Sequence, residues 1–236
     1  MGRKTWSMLA AMAFVLTGCA GVQSPSPQSR MNAPATPLTT PSSSPAPVPH
    51  VVMIGDSIMR GYGLDTTDEA WPQLLATDEG WDLDNIACDG AGFLAWGNWS
   101  ECGGTYDAIV TDAIQLDPTT VIIEGSSNDF GQDDGDLATT TTQLLAELRT
   151  GLPDAQIIGL STIWGDTAPP EQLAAVNSQV RSAVRAAGGV YVTIGQPLSG
   201  HPEWMQDDDI HPTADGQQAI MRAVKAAFAN HAVPVR

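Results

Sequence analysis

A serine hydroxyl becomes a nucleophile at neutral pH only with a base within hydrogen-bond reach. The chain offers four histidines for that task. His50 closes a Pro-rich stretch and His231 lies in the tail, which leaves His201 and His211. His211 follows Asp208 by three residues in Asp207-Asp208-Asp209-Ile210-His211-Pro212. A turn there can set a carboxylate beside the ring, fix its tautomer and favour the imidazolium formed in acyl transfer. On local chemistry alone Asp207 and Asp209 have similar claims, and a surface histidine among acids is the plainer reading. The serine best placed to meet such a base is Ser57. Val51-Val52-Met53-Ile54 is an unbroken apolar run of the kind found in a buried parallel strand. Gly55 permits a tight turn, and Asp56-Ser57 stands where a helix can begin, at the carboxyl rim of the sheet. The competing reading is a serine that only caps a helix.

Two further blocks stand between these. Asn85-Ile86-Ala87-Cys88-Asp89-Gly90 puts a glycine on a loop after a second strand-like segment, and Gly125-Ser126-Ser127-Asn128-Asp129 follows a third. Taken together, the four blocks resemble those of the SGNH or GDSL-like esterase and lipase family, in family order over about residues 49–230. The first block departs from the family name in having Ile58 where leucine is usual. The resemblance implies a catalytic set of Ser57, Asp208 and His211, and it selects Asp208 among the three adjacent acids. It also implies an oxyanion hole built from the Ser57 N–H, the Gly90 N–H and the Asn128 amide. The chemistry agrees, because glycine lets a backbone donor come close and an amide donates without a titrating charge. Asn128 as a loop cap is the alternative. Asp56 is expected to stiffen the turn by accepting loop N–H groups. Ser126, Ser127 and Ser161 lie near strand ends but lack a matched base.

The 236 residues suffice for one substantial core. A net charge of -17, from ten Lys plus Arg against 27 Asp plus Glu, disfavours nucleic acid and anionic membrane surfaces as partners. Arg3 and Lys4, the apolar stretch Met8 to Leu16, and Leu16-Thr17-Gly18-Cys19 read as a bacterial lipoprotein leader, with Cys19 the lipidated residue. The apolar stretch is too short to span a bilayer. An ordinary secretory peptide with Cys19 incidental is the other reading. Residues 1–18 are thus expected to be a signal peptide and 19–49 a Pro/Ser/Thr-rich tether to the membrane, followed by a hydrolase domain over 50–230 and a short tail over 231–236. In an exported protein the remaining pair, Cys88 and Cys102, suggests a disulfide.

From Val51 onward, strand-like and helix-like segments alternate. Strands are expected at Val51 to Ile54, Trp81 to Ile86, Thr120 to Ile123, Ile157 to Leu160 and Val190 to Ile194. Between them fall helix faces capped by Asp68, by Thr105 and near Asp136, one begun by Pro170, and a last one carrying Ile220, Val224 and Phe228. Such alternation makes a three-layer α/β/α sandwich around a parallel sheet. Family resemblance implies a flavodoxin-like order, 2-1-3-4-5, which places Ser57, Gly90 and Asn128 around one crevice.

The function expected is a serine esterase working through an acyl-enzyme on short-chain acyl or acetyl esters, with a cell-envelope or environmental glycan as a candidate alcohol. An O-acyltransferase with the same residues, and a non-catalytic glycan-binding envelope protein, are the alternatives. Trp96, Trp99, Trp164 and Trp204 fall in loops that can overhang the site, though tryptophan also serves as core, and Arg60 is the nearby cation. No metal or organic cofactor is implied, and Gly90-Ala91-Gly92 lacks the spacing of a nucleotide cradle. A monomer is expected.

Overall fold

The computed structural model describes residues 47–236. The leader, Cys19 and nearly all of the tether lie outside the described residues.

Five strands form one parallel sheet: β1 (His50–Ile54), β2 (Asp82–Asn85), β3 (Thr120–Glu124), β4 (Gln156–Leu160) and β5 (Val190–Val192). Their order is β2-β1-β3-β4-β5, as the resemblance implies. β1 and β3 run side by side with Val52 opposite Val121 and Ile54 opposite Ile123. The two strands therefore leave the sheet together, and their following turns share one crevice.

The central strands are apolar on both faces because helices cover both. On one side α3 (Tyr106–Leu116), α4 (Asp134–Gly151) and α5 (Gln172–Ala186) pack Tyr106, Leu145 and Val180 against Val52, Ile54, Val121 and Ile123. On the other, α2 (Trp71–Glu79) and α6 (Ala214–His231) pack Trp71, Leu75, Ile220 and Val224 against Val51, Met53, Ile122 and Ile158. The α6 stripe falls at i, i+4 and i+8, one face of a 3.6-residue period. A helix of four residues, α1 (Ser57–Arg60), follows β1 directly.

Several boundaries differ from the sequence reading. Asp68 does not cap α2: Thr66 caps a separate 3₁₀ turn over Thr67–Glu69, and α2 begins after Ala70 with Pro72 in its first turn. Asp133, not Asp136, caps α4, its carboxylate accepting the N–H groups of Gly135 and Asp136. Pro170 precedes α5 by two residues, and its carbonyl accepts the Leu173 N–H. β2 is shorter than Trp81 to Ile86, and β5 ends at Val192 because Ile194 turns its N–H to the Ser161 hydroxyl. Thr105 does cap α3, accepting the Asp107 N–H. The tail runs back along the sheet, where the Arg236 carbonyl accepts from the Thr119 and Thr120 hydroxyls.

Candidate active site

Ser57 is the first residue of α1, beyond the end of β1. Asp56 caps this turn, accepting the Ile58 N–H at 3.0 Å. Gly55 is required by close packing: a Cβ there would fall 2.5 Å from the Met59 sulfur, one turn ahead. The chain can thus fold back on itself only where position 55 lacks a side chain.

His211 approaches from the loop before α6. Its Nε2 stands 2.9 Å from the Ser57 Oγ and its Nδ1 2.6 Å from the Asp208 Oδ2. An ionised carboxylate only accepts, so Nδ1 carries the proton and Nε2 faces the serine as the acceptor. The remaining Asp208 oxygen accepts the backbone N–H groups of Ile210 and His211. Burial pushes the Asp208 carboxyl up, but the His211 ring and these two N–H groups outweigh it and hold it at about 2. Asp208 is therefore an anion at any pH where the imidazole is a base. Gln206 braces the turn, its N–H donating to the His211 carbonyl and its side-chain amide to the Tyr62 and Pro212 carbonyls. The Tyr62 ring lies against the imidazole, centroids 4.5 Å apart.

The other candidate donors lie on the loops that follow β2 and β3. Gly90 adopts φ +74°, a left-handed conformation that suits glycine, and neither its N–H nor that of Ser57 has an acceptor among the described residues. Asn128 lies in the turn after β3. Its Nδ2 is 3.1 Å from the Ala91 carbonyl and 3.2 Å from the Ser126 hydroxyl, which are themselves 2.8 Å apart. Those three sides subtend about 53° at the nitrogen, far less than the angle between the two N–H bonds of a planar amide. One N–H therefore serves both oxygens, and the other is uncommitted. Asp129 next to it is fully buried and gathers the N–H groups of Phe93, Leu94 and Ala95 at 2.9, 2.9 and 3.0 Å. It ties the β3 turn to the loop that carries Gly90.

Cys88 and Cys102 are joined as a disulfide, which closes that loop. Arg60 is held by two carboxylates, Asp89 at 2.6 Å and Glu101 at 3.0 Å, so it clamps α1 to the same loop. An anionic substrate group would have to compete with both. Burial raises the Asp89 carboxyl, with Arg60 opposing.

A cavity of about 240 Å³ opens beside Asn128, walled by Ile58, Ile163, Trp164, Thr167 and Ile210. Of the four candidate tryptophans only Trp164 lines it. Trp96 and Trp99 sit on the disulfide loop, 57% and 79% exposed, with rings 5.3 Å apart. Trp204 stacks on His201 at 3.7 Å and packs against the core beneath α6. Ser126 is buried and bonded to Asp56, Ser161 accepts the Ile194 N–H, and Ser127 lines the cavity. Three larger cavities, about 670, 650 and 460 Å³, are lined by Phe228 and Lys225, by Arg149 and Gln156, and by Gln73 and Trp81 respectively, and none contains a residue of this site. Sequence reasoning missed Tyr62, Ile163 and Ile210, apolar or aromatic residues whose role depends on which loops meet. It also passed over Glu124, the residue just after the expected third strand.

An acid–imidazole–hydroxyl chain at the carboxyl rim of a doubly covered parallel sheet defines a serine hydrolase of the three-layer α/β class. Residues 53–219 match the GDSL-like Lipase/Acylhydrolase family, and the chain belongs to it as an SGNH/GDSL-type carboxylic ester hydrolase. It is 28% identical over 186 residues to a GDSL lipase of Mycobacterium tuberculosis, covering 72% of this chain and 77% of that one. In fold it is similar to the psychrotrophic esterase EstA of Pseudoalteromonas sp. (TM-score 0.61, 20% identity, 79% of this chain and 100% of that chain). It is similar too to the salicylyl-acyltransferase SsfX3 of a tetracycline biosynthetic pathway (TM-score 0.63, 20% identity, 82% of this chain), of which it spans 58%. A family two carbohydrate esterase of Clostridium thermocellum also shares the fold (TM-score 0.59, 19% identity, 80% of this chain and 66% of that chain).

Proposed function

We infer that the protein hydrolyses short-chain acyl esters by way of an acyl-enzyme on Ser57. The observation that carries this reading is the unbroken chain Asp208–His211–Ser57 beside a cavity of about 240 Å³. In this scheme the Ser57 oxygen bonds to the ester carbonyl carbon while its proton passes to His211 Nε2. The carbonyl oxygen takes up the charge and is met by the N–H groups of Ser57 and Gly90 and the free N–H of Asn128. Collapse breaks the bond to the alcohol, which leaves with the proton from His211. Water then adds to the acyl-enzyme by the same route, its proton passing through His211 to the departing Ser57 oxygen, and the acid is released.

The walls Ile58, Ile163, Trp164 and Ile210 favour an apolar acyl group, and the size of the cavity favours a short one. The alcohol is a glycan hydroxyl in this reading, supported by the exposed Trp96 and Trp99 on the neighbouring loop and by a family two carbohydrate esterase among the proteins of like fold. Cys19 is a lipid anchor in the same reading, so that Cys19→Ser releases the protein from the membrane fraction.

The test is treatment with a fluorophosphonate followed by peptide mass spectrometry, together with hydrolysis of p-nitrophenyl esters of rising chain length and of acetylated polysaccharide. Label on Ser57 and a rate that falls steeply beyond short acyl chains are expected. Label on Ser126, Ser127 or Ser161 overturns the site, and a preference for long chains overturns the substrate. Acyl transfer to an added sugar in preference to water would make it an acyltransferase, the activity in the name of one protein of like fold.

A further inference from the structure

An ester carries its acyl and alcohol parts on opposite sides of the reacting carbonyl, and the fold separates the two. The strand order β2-β1-β3-β4-β5 puts the turns after β3 and β4 on one side of the Ser57 turn and the loop after β2 on the other. The cavity of about 240 Å³ is lined by Ser127 and Asn128 after β3 and by Ile163 and Trp164 after β4, so it belongs to the first side. An acyl group lodged there sends the alcohol the other way, past Ser57 toward the loop that carries Gly90.

That loop presents two tryptophans to solvent. Among the described residues seven large apolar side chains are exposed. Five of them, Tyr62, Trp96, Trp99, Phe130 and Ile210, lie on loops around the active site, and the other two, Val48 and Val190, stand near the starts of β1 and β5. Trp99 is the most exposed of the seven. Trp96 and Trp99 belong to neither core cluster, and their rings pair with each other, centroids 5.3 Å apart at a tilt of 41°.

The shape of the loop is set by bonds that do not involve the rings. The Asn98 N–H donates to the Asp89 carbonyl and the Gly97 N–H to the Gly104 carbonyl, both at 2.8 Å, and the Asn98 carbonyl accepts from Glu101, Cys102 and Gly103. Gly97, between the tryptophans, lies so close to the disulfide that a Cβ there would fall 2.8 Å from the Cys88 sulfur. A Cβ on Gly90 would come 3.9 Å from the Trp96 carbonyl, so the pair adjoins a candidate oxyanion donor. A surface already in shape loses little conformational freedom when a ligand lands on it.

The chemistry of this surface selects its occupant. Both rings are open to water, so a ligand resting on them is covered on one side and solvated on the other. A sugar ring suits that arrangement: its C–H face meets the negative face of an indole while its hydroxyls stay in water. A long aliphatic alcohol gains most from an enclosing groove. The formal net charge of -17 opposes anionic lipids and polyanionic glycans.

We propose that Trp96 and Trp99 form a binding platform for unacylated sugar units of a neutral glycan, a subsite on the alcohol side of Ser57 that recognises the polymer independently of its acyl group. The inference deepens the function proposed above and rests on its assignment of Ser57 and of the acyl cavity.

Titration calorimetry of the Ser57→Ala protein with unacylated xylan, glucomannan and cello-oligosaccharides should show binding to at least one of them, with a Kd on the order of micromolar to millimolar. The double variant Trp96→Ala, Trp99→Ala in the same background should weaken it by on the order of tenfold or more, and Trp99→Phe, which keeps an aromatic face, should restore most of it. With Ser57 in place, the double variant should lose on the order of tenfold more in kcat/KM on acetylated xylan than on p-nitrophenyl acetate, the difference falling on KM. Thermal melts check that the double variant is folded, and Trp99→Ser alone, at the most exposed position, replaces it if it is not. No binding to any of the three glycans, binding that survives in the folded variant, equal losses on polymer and small ester, or tryptophan-dependent binding to phosphatidylcholine vesicles in place of glycan would overturn the proposal. The calorimetric readout needs no esterase activity, so failure of the Ser57 assignment is told apart from failure here.

Discussion

The two halves of the active site are built by opposite means. On the Ser57 side Asp56, Glu124, Ser126 and Asp129 are all buried, and the turn carrying Asn128 is held by bonds to other loops. On the base side the Asp208 side chain is 39% exposed, and its bonds go to residues within three positions in the chain. Asp209 holds a left-handed φ of +56° in that turn. Donors that must stabilise charge without reorganising gain from a rigid, dry setting. A base that must cycle between two protonation states gains from a setting that solvent can reach. Stability and activity should therefore be coupled on the first side and separable on the second.

Ser57→Ala and His211→Ala test the comparison at its largest amplitude. Each should remove about 10⁶ in turnover, and together little more, because the residues act as a unit. Fluorophosphonate labelling should vanish in the first and be strongly slowed in the second. Thermal melts should show His211→Ala close to wild type, as expected for a ring held by a local turn.

Asp208→Asn comes next, with a loss of about 10⁴ in kcat through the wrong tautomer. Its Tm should hardly change near neutral pH, since solvent screens the exposed pair. The sign with pH follows from the depressed carboxyl: its contribution to stability is present above the ordinary 3.8 and is lost as pH falls through about 2. A melt series in acid should show whatever small advantage the wild type has over the variant disappearing only there. A decline in rate above about pH 4 then does not come from protonation of Asp208.

Asn128→Ala should cost on the order of 10² to 10³ in kcat, a smaller effect on rate than Asp208→Asn. It should lower stability more, by about 1 kcal/mol, because the buried Ala91 carbonyl loses a donor. A reversed order in denaturant melts would break the contrast between the two sides.

The smallest effect on rate is expected from opening Cys88–Cys102. The bridge joins residues 14 apart, and the chain-entropy estimate gives about 3 kcal/mol of stability for a loop of this size. Because Asp129 and Arg60 also hold the Gly90 loop, reduction should lower Tm clearly and kcat by less than about tenfold, measured on the same sample.

The sequence by itself determined the sheet and which serine, histidine and aspartate meet at its rim. Unbroken apolar runs such as Val51 to Ile54 and Val121 to Ile123 are buried on both faces, and that requires helices on both sides of a parallel sheet. The turn Gly55-Asp56-Ser57 and the spacing of Asp208 to His211 were legible for a related reason: each is local, with its geometry set by residues within a few positions. The helix starts were less legible, because Asp68 and Asp136 were as good caps on propensity as Thr66 and Asp133, and packing chose between them.

Only the tertiary structure decided what surrounds the reacting atoms. That Trp164 walls the cavity while Trp204 stacks on His201, that Arg60 is engaged by Asp89 and Glu101, and that Tyr62 covers the imidazole all depend on how separate loops meet. Glu124 is the clearest case. In sequence it ends an apolar strand next to a glycine and looks like the first solvent-facing residue. Its burial follows from the parallel pairing of β1 with β3, and a long-range pairing of that kind leaves no periodic trace in either segment.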